Sequence, residues 1–514
     1  MRFGRLEAIV FVAGFSVLVV EIVGARLLAP YLGNTLFTWT SAIAVVLAAL
    51  SIGYHYGGRL SENGPSMRAL SAMLIASGLL VGALPLVSDS VLGLSVMLGY
   101  EYGPIFACLA LFALPNFCLG MVSPYAVRLK SRSLRTVGES AGDLYAVSTA
   151  GSIAGALLSG YILVPWIGID QSFFATCALL LVVGVAVFGR KGLPLLLAAV
   201  AFPLVGAAIA PAHGPSVLFV TDTPYYHLTV TNSSGMIGLQ TDLTLQTVVS
   251  EANRSGVLPY YEYQKLVYNS EPVSRALFLG LGGGAMVMDL YRSTNASIDV
   301  VEIDPVVIQV ARRFFNLTDS RRVTIYNQDA RYFLRDTTGS YNMIVMDVWG
   351  SSLSLPYQLA TQEAAMEMKS HLAPNGSVLI NFASPLEGSG SGPFKSLYAT
   401  FGSVFPNMYV FPQYPQNITA MQNIVMIASS DRQRWTEAEM LRALNATRNS
   451  SAAAAVDLRI VSDNGTQQGA GRVMLLDNGT YYGGTAGYPI LTDNRNPFEV
   501  YEAEAIASVH GGNA

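Results

Sequence analysis

Charged side chains are scarce in this sequence. Only 12% of its 514 residues are Asp, Glu, Lys or Arg, and 52% are hydrophobic; an ordinary soluble protein is about 25% charged. The deficit is concentrated before Pro211. Lysine is nearly missing after it, at Lys265, Lys369 and Lys395 alone. The three cysteines, Cys108, Cys118 and Cys177, lie in apolar stretches as inert thiols, so the C-terminal half has neither a disulfide framework nor a thiolate metal site. Five scattered histidines show no metal-ligand spacing, and no metal is expected. A net charge of −4 with no basic cluster after Pro211 excludes a nucleic-acid partner.

What is present before Pro211 is apolar length. Crossing the hydrocarbon of a bilayer takes about 20 mostly apolar residues. Seven segments qualify, near 7–30, 36–57, 69–87, 104–126, 142–165, 171–189 and 192–210. The first is too long for a cleaved signal, carries Glu21 and Arg26, and is followed at once by another span. The short loops on one side hold Arg2, Arg5, Arg59, Arg68, Arg128, Lys130, Arg132, Arg135, Arg190 and Lys191; those near 31–35, 88–103 and 166–170 hold no Lys or Arg. This asymmetry predicts a cytoplasmic N-terminus. Seven spans then leave the chain after Pro211 outside the cytoplasm, and a hidden span in 88–103 would reverse that.

Asn-x-Ser/Thr sequons agree. They occur at Asn232, Asn253, Asn295, Asn316, Asn375, Asn417, Asn445, Asn449, Asn464 and Asn478, all after Pro211. Chance gives about three if Ser and Thr fill ~15% of positions. An extracytoplasmic, glycosylated domain is expected. Within the helices, Gly151-x-x-x-Gly155 running on to Ser159 is a small-residue stripe for close packing. Glu21 and Arg26 are expected to pair with each other and lock the first helix, in preference to lining a transport path.

After Pro211 the periodicity changes. Val217-Leu-Phe-Val220, Tyr226-His-Leu-Thr-Val230 and Met236-Ile-Gly-Leu-Gln240 read as a small antiparallel sheet, with a turn at Asn232-Ser-Ser-Gly235. Ala276-Leu-Phe-Leu279 is a buried-strand run that leads into Gly280-Leu-Gly282-Gly-Gly284 and then a helical pattern. Such a turn lets a ligand meet the backbone amides of a helix N-terminus. Ile298-Asp-Val-Val-Glu302 ends in an acid spaced to accept both ribose hydroxyls, and the strands reaching Asp329 and Asp347 follow. The turn lacks the third glycine of dinucleotide enzymes and the chain lacks a P-loop lysine, so an S-adenosyl-type nucleoside fits better than NAD or ATP.

These residues resemble the spermidine synthase (polyamine aminopropyltransferase) family, and in particular its membrane-fused members. The resemblance covers 223–430, with patches at Trp39–Leu47, Gly57-Gly58, Ser148–Gly155 and Leu491–Pro497. It implies that Gln246, in Asp242-x-x-x-Gln246, contacts the nucleoside, and that Gly280, Gly282 and Gly284 form its loop. Glu302 would hold the ribose and Asp329 the adenine, while Tyr260, in Tyr260-Tyr-Glu262, lies over the reacting centre. The substrate implied is decarboxylated S-adenosylmethionine, or S-adenosylmethionine itself, without a metal. Two family acids are replaced, by Ala285 after the glycine loop and by Gly350 in Asp347-Val-Trp-Gly350. Asp347 or Glu262 would have to stand in as base.

The expected architecture is multidomain. A transmembrane helical bundle (1–211) precedes a small β-strand domain (212–274), a Rossmann-like α/β domain of methyltransferase/spermidine synthase type (275–430) and an extension (431–514). The expected activity is an aminopropyl- or alkyl-transferase. A catalytically degenerate module for binding, sensing or assembly, and a polyamine-related transporter, stay open as alternatives. Expected partners are membrane lipid and a small-molecule amine or nucleoside; a homo-oligomer is left open.

Overall fold

The computed structural model describes residues 4–186 with breaks at 34 and 132–136, residues 214–430 with breaks at 243, 351–354, 389 and 415–416, and short stretches between 435 and 505. The chain divides into two compact units, 1–214 with 221–227, and 215–220 with 228–514.

The first unit is helical: α1 Arg5–Leu32, α2 Leu36–Leu60, α3 Met67–Met97, α4 Gly99–Lys130, α5 Val137–Leu158 and α6 Ile169–Ala186. Among the described residues these six are long and apolar enough to cross a membrane. The expected seventh span, 192–210, lies outside the described residues. Residues 88–103 hold no eighth span. They are the ends of α3 and α4, which run 31 and 32 residues, some 45–48 Å at 1.5 Å per residue, and meet at Gly99 (φ +77°).

The small-residue stripe has a partner in α1. A Cβ on Gly151 or Gly155 would run into the Phe11 or Phe15 carbonyl oxygen, and Ser152 donates to the Gly14 carbonyl at 3.1 Å. The two backbones therefore touch, as small-residue stripes allow.

The expected Glu21–Arg26 pair is not formed. Among the described residues Glu21 makes no ion pair, and Arg26 donates to the Thr223 carbonyl at 3.2 Å within this unit. Five residues on a helix is a turn of about 140°, which points the two side chains apart.

The second unit opens with an antiparallel sheet: β1 Val217–Asp222, β2 His227–Ser233, β3 Met236–Thr241 and β4 Thr244–Ser250. Ser234 and Gly235, both at positive φ, make the tight β2–β3 turn. β4 was not among the strands expected from periodicity. The main sheet contains β5 Arg275–Leu279, β6 Ser297–Glu302, β7 Val323–Asn327, β8 Tyr341–Met346, β9 Leu372–Ser384, β10 Asn407–Pro412 and β11 Gln422–Ser429. Its order is β10-β11-β9-β8-β5-β6-β7, with β9-β8-β5-β6-β7 parallel and β11 antiparallel to both neighbours. The helices are α7 Gln264–Ser270, α8 Ala285–Ser293, α9 Pro305–Phe314, α10 Ala330–Asp336, α11 Gln362–Ser370 and α12 Gly392–Gly402.

Both faces of the central strands are buried, which explains their unbroken apolar runs. Ala276 and Phe278 pack on one side and Leu277 and Leu279 on the other. Leu228, Val230, Ile237, Leu239 and Val249 of the small sheet join the first of these cores, so the two sheets share one hydrophobic interior.

Gly151→Leu is expected to destabilise the detergent-solubilised protein by about 1–3 kcal/mol, seen as a lowered thermal midpoint, because overpacking forces α1 and α5 apart. Gly142→Ala, where a Cβ meets open space, is expected to leave that midpoint unchanged or raised.

Candidate nucleoside site

The parallel strands β8, β5, β6 and β7 lie side by side, so their carboxyl ends share one edge. The chain order reverses between β5 and β8, and open α/β sheets bind ligands at such a point.

Gly280 follows β5 at φ +90°, and a Cβ there would strike the Asp347 carbonyl oxygen. Only glycine meets both demands. The Asp347 amide donates to the Leu279 carbonyl at 3.0 Å, which ties the end of β8 to the end of β5. Gly282 and Gly284 also take positive φ, and Gly284 caps the N-terminus of α8. The Gly283 amide donates to Thr247 Oγ1 of β4 at 2.8 Å. A Cβ on Gly283 would lie 2.7 Å from Thr247 Cγ2 and 2.8 Å from the Phe315 ring, so the loop is clamped from the small sheet.

Glu302, the last residue of β6, is 7% exposed. Its Oε2 accepts from the Leu281 amide at 3.1 Å and its Oε1 from the Asp304 amide at 2.9 Å. Burial pushes this carboxyl up to about 7, while those two amides draw it down.

Asp347 is held differently. Its Oδ1 accepts from Asn381 Nδ2 at 2.8 Å and Trp349 Nε1 at 2.7 Å; among the described residues its Oδ2 has only the Tyr260 hydroxyl, at 3.5 Å. Burial raises its pKa against those three donors. The Tyr260 hydroxyl also lies 3.3 Å from the Gln246 carbonyl, and burial raises its own pKa well above the usual value. Gln246 Nε2 is buried without a hydrogen-bond partner, a donor left for something outside the fold.

Tyr260, Gln246 and Asp347 are thus brought together, and Glu302 joins the glycine loop one strand over. Two of the expected residues are occupied elsewhere. Glu262 forms a buried ion pair with Lys265, at 2.8 and 3.0 Å. Asp329 caps α10 by accepting from the Tyr332 amide at 2.9 Å. Ala285 opens α8 and is buried; Gly350 follows Trp349 beyond β8. Thr247, Trp349 and Asn381 were not anticipated. Asn381 did carry a signal, a lone amide in the apolar run Val378-Leu-Ile-Asn-Phe382.

Residues 265–432 match the family model described as spermine/spermidine synthase domain. Over these residues the chain has a spermidine synthase-type domain. It is 31% identical over 175 residues to a polyamine aminopropyltransferase of Vibrio vulnificus, covering 33% of this chain and 55% of that one. It is 22% identical over 398 residues to polyamine aminopropyltransferase 2 of Aquifex aeolicus, with 72% and 77% covered. With polyamine aminopropyltransferase 1 of Streptomyces coelicolor it shares 25% over 415 residues, with 73% and 75% covered. The chain therefore spans about half of the first of these relatives and three quarters of the other two. Among solved structures, a spermidine synthase in complex with the transition-state analogue AdoDATO aligns with a TM-score of 0.36 at 18% identity, covering 42% of this chain and 74% of that one. A probable spermidine synthase from Corynebacterium glutamicum aligns at 0.37 and 20%, covering 48% and 85%.

In this spermidine synthase-type domain, Glu302 holds a proton in the folded state from its ordinary 4.5 up to about 7, where the unfolded chain has released it. Its contribution to stability is therefore full below pH 4.5 and is lost as pH rises through 7. Relative to wild type, Glu302→Gln is expected to remove a pH-dependent loss on the order of 3 kcal/mol across that window, measured by chemical denaturation of the full-length protein at a series of pH values.

Proposed function

We propose that the C-terminal domain binds decarboxylated S-adenosylmethionine or a closely related S-adenosyl nucleoside, and transfers its aminopropyl or alkyl group to an amine. The helical half anchors it to a membrane. The observation that carries this reading is the join of Glu302 to the glycine loop, whose Gly280 meets the Asp347 backbone, together with a buried Gln246 amide that has no hydrogen-bond partner among the described residues. The names of the relatives, polyamine aminopropyltransferases, support the class of reaction.

Each residue has a task that follows from its chemistry. An ionised Glu302 has lone pairs left for two ribose hydroxyls, and Gln246 Nε2 has hydrogens to donate. Gly280, Gly282 and Gly284 let the nucleoside approach the backbone, and the Asp329 oxygen not used in capping α10 takes the adenine amino group. In the transfer, the acceptor nitrogen's lone pair attacks the methylene carbon next to the sulfonium sulfur. The C–S bond breaks with its electrons going to sulfur, leaving a neutral thioether nucleoside. The proton shed by the new ammonium passes to Asp347. Its Oδ1 is taken by Asn381 and Trp349, so Oδ2, beside Tyr260, is the oxygen left to receive it. With Ala285 and Gly350 in place of the family acids, and Glu262 neutralised by Lys265, Asp347 carries that task alone.

The orientation that goes with this reading has the N-terminus in the cytoplasm and the synthase-type domain outside, supported by the ten basic residues on one set of loops. A donor made in the cytoplasm then has to be delivered across the membrane. Protease added to intact cells is expected to remove the C-terminal domain; full protection would place it inside.

Binding of 5′-methylthioadenosine to the full-length protein, followed by titration calorimetry, is expected to tighten as pH rises through 7 and Glu302 ionises. Glu302→Gln is expected to weaken it at least tenfold and flatten the pH dependence; no binding of this nucleoside or of decarboxylated S-adenosylmethionine would end the proposal. Asp347→Asn is expected to slow transfer from decarboxylated S-adenosylmethionine to putrescine by about 100-fold or more, with nucleoside affinity within a few fold of wild type. Asn381→Leu removes a donor that lowers the Asp347 pKa, so the acid limb of its pH–rate profile is expected to move to higher pH.

A further inference from the structure

The sequons are the one strong sequence feature that the nucleoside site does not use, and six of them fall among the described residues. Their asparagines divide into two groups. In Asn232, Asn253 and Asn417 the side-chain amide serves the fold. Asn232 Nδ2 donates to Glu251 at 2.9 Å, and Asn253 Oδ1 accepts from the Ser255 amide and hydroxyl at 3.0 and 2.6 Å. Asn417 Oδ1 accepts from Thr419 at 3.2 Å. In Asn295, Asn316 and Asn375 the side chain is exposed and makes no hydrogen bond within the described residues.

These three share a place. Asn295 lies between α8 and β6, Asn316 between α9 and β7, and Asn375 near the start of β9, at the irregularity in its pairing with β8. Asn295 and Asn316 precede parallel strands and Asn375 is close to the start of one, so all three sit at the amino edge of the sheet. Gly280, Glu302 and Asp347 leave the opposite edge. Asn375 is set apart by its hydroxyl partner, because Ser377 is 1% exposed and sealed into β9. Ser297 and Thr318, the partners of Asn295 and Asn316, are exposed. Asn316 takes a left-handed φ of +60°, a conformation asparagine tolerates. Asn295 has no such backbone reason to be asparagine.

We propose that Asn295 and Asn316 are N-glycosylation sites, giving the synthase-type domain a glycan-bearing amino edge behind an open nucleoside crevice. The co-substrate class is a lipid-pyrophosphate-linked oligosaccharide presented by a membrane oligosaccharyltransferase. The asparagine Nδ2 attacks the anomeric carbon and the C–O bond to phosphate breaks. The lipid pyrophosphate leaves with those electrons, and the amide proton passes to a base of the transferase. The sequon hydroxyl is the recognition element, which is why an exposed Ser297 and Thr318 matter. The proposal rests on the outside orientation read above and not on the nucleoside site, since both loops lie at the sheet edge opposite Gly280, Glu302 and Asp347.

The test is mass spectrometry of the full-length protein purified from its native membranes. Tryptic peptides 293–312 and 314–321 separate the two sites. Both are expected to carry one common glycan increment. Ser297→Ala and Thr318→Ala, expressed in the same host, are each expected to lose one increment from the intact mass while retaining the asparagine. Recovery of both peptides at their unmodified masses would overturn the proposal, as would increments that persist in the two alanine variants. Folding of the surface variants is checked by nucleoside binding or, should that reading fail, by their unchanged thermal midpoint.

Discussion

The approach of Gly280 to the Asp347 backbone is the contact on which the site depends. Two neighbouring strand ends are brought so close that a single methyl group would separate them. An acid lies on either side of this contact, Asp347 at the end of β8 and Glu302 at the end of β6. Glu302 sits one strand over and accepts from the loop that Gly280 begins. Thr247 braces the same loop from the small sheet. The glycine turn is thus held from β6, β8 and β4 before any ligand arrives, which spares a nucleoside the entropy of ordering it.

Much of this was legible because it is local. An apolar run of four or five residues followed by glycine or an acid signals a buried parallel strand that delivers its last side chain to one edge, and β5, β6 and β8 follow that rule. The helices before Pro211 were equally plain, since about twenty apolar residues leave few alternatives. The failures are non-local or angular. Glu21 and Arg26 are near in sequence but on different faces of α1. Residues 88–103 read as a loop because their hydropathy is broken by Ser88, Asp89, Ser90 and Glu101, yet backbone hydrogen bonding carries both helices through them. β4 is faint in periodicity, because Thr244-Leu-Gln-Thr-Val-Val-Ser250 puts its apolar pair at one end, and the family resemblance at Asp242–Gln246 is what marks a strand there. Thr247 gave no signal at all, for nothing in the sequence says that a threonine on one sheet will meet a glycine amide beside another.

The shared interior of the two sheets has a functional consequence. Gln246 belongs to β4 of the small sheet, Tyr260 to the segment that joins that sheet to the main one, and Asp347 to the end of β8 in the main sheet. A core common to both fixes the distance between a hydroxyl and a carboxylate 87 residues apart in the chain. A small sheet packed separately from the main one would leave Tyr260 without a fixed distance to Asp347.

The acids Glu262 and Asp347 are distinguished by their neighbours. Glu262 has Lys265 against both oxygens, and a carboxylate paired that closely gains little by taking a proton. Asp347 has only neutral partners, Asn381, Trp349 and Tyr260. Neutral donors orient a carboxylate and keep it hydrogen-bonded, but they do not cancel its charge. Burial then makes the charged form uncomfortable and raises the affinity for a proton. A group in that condition becomes a stronger base without being disordered, and the two donors on Oδ1 leave its basicity expressed at Oδ2.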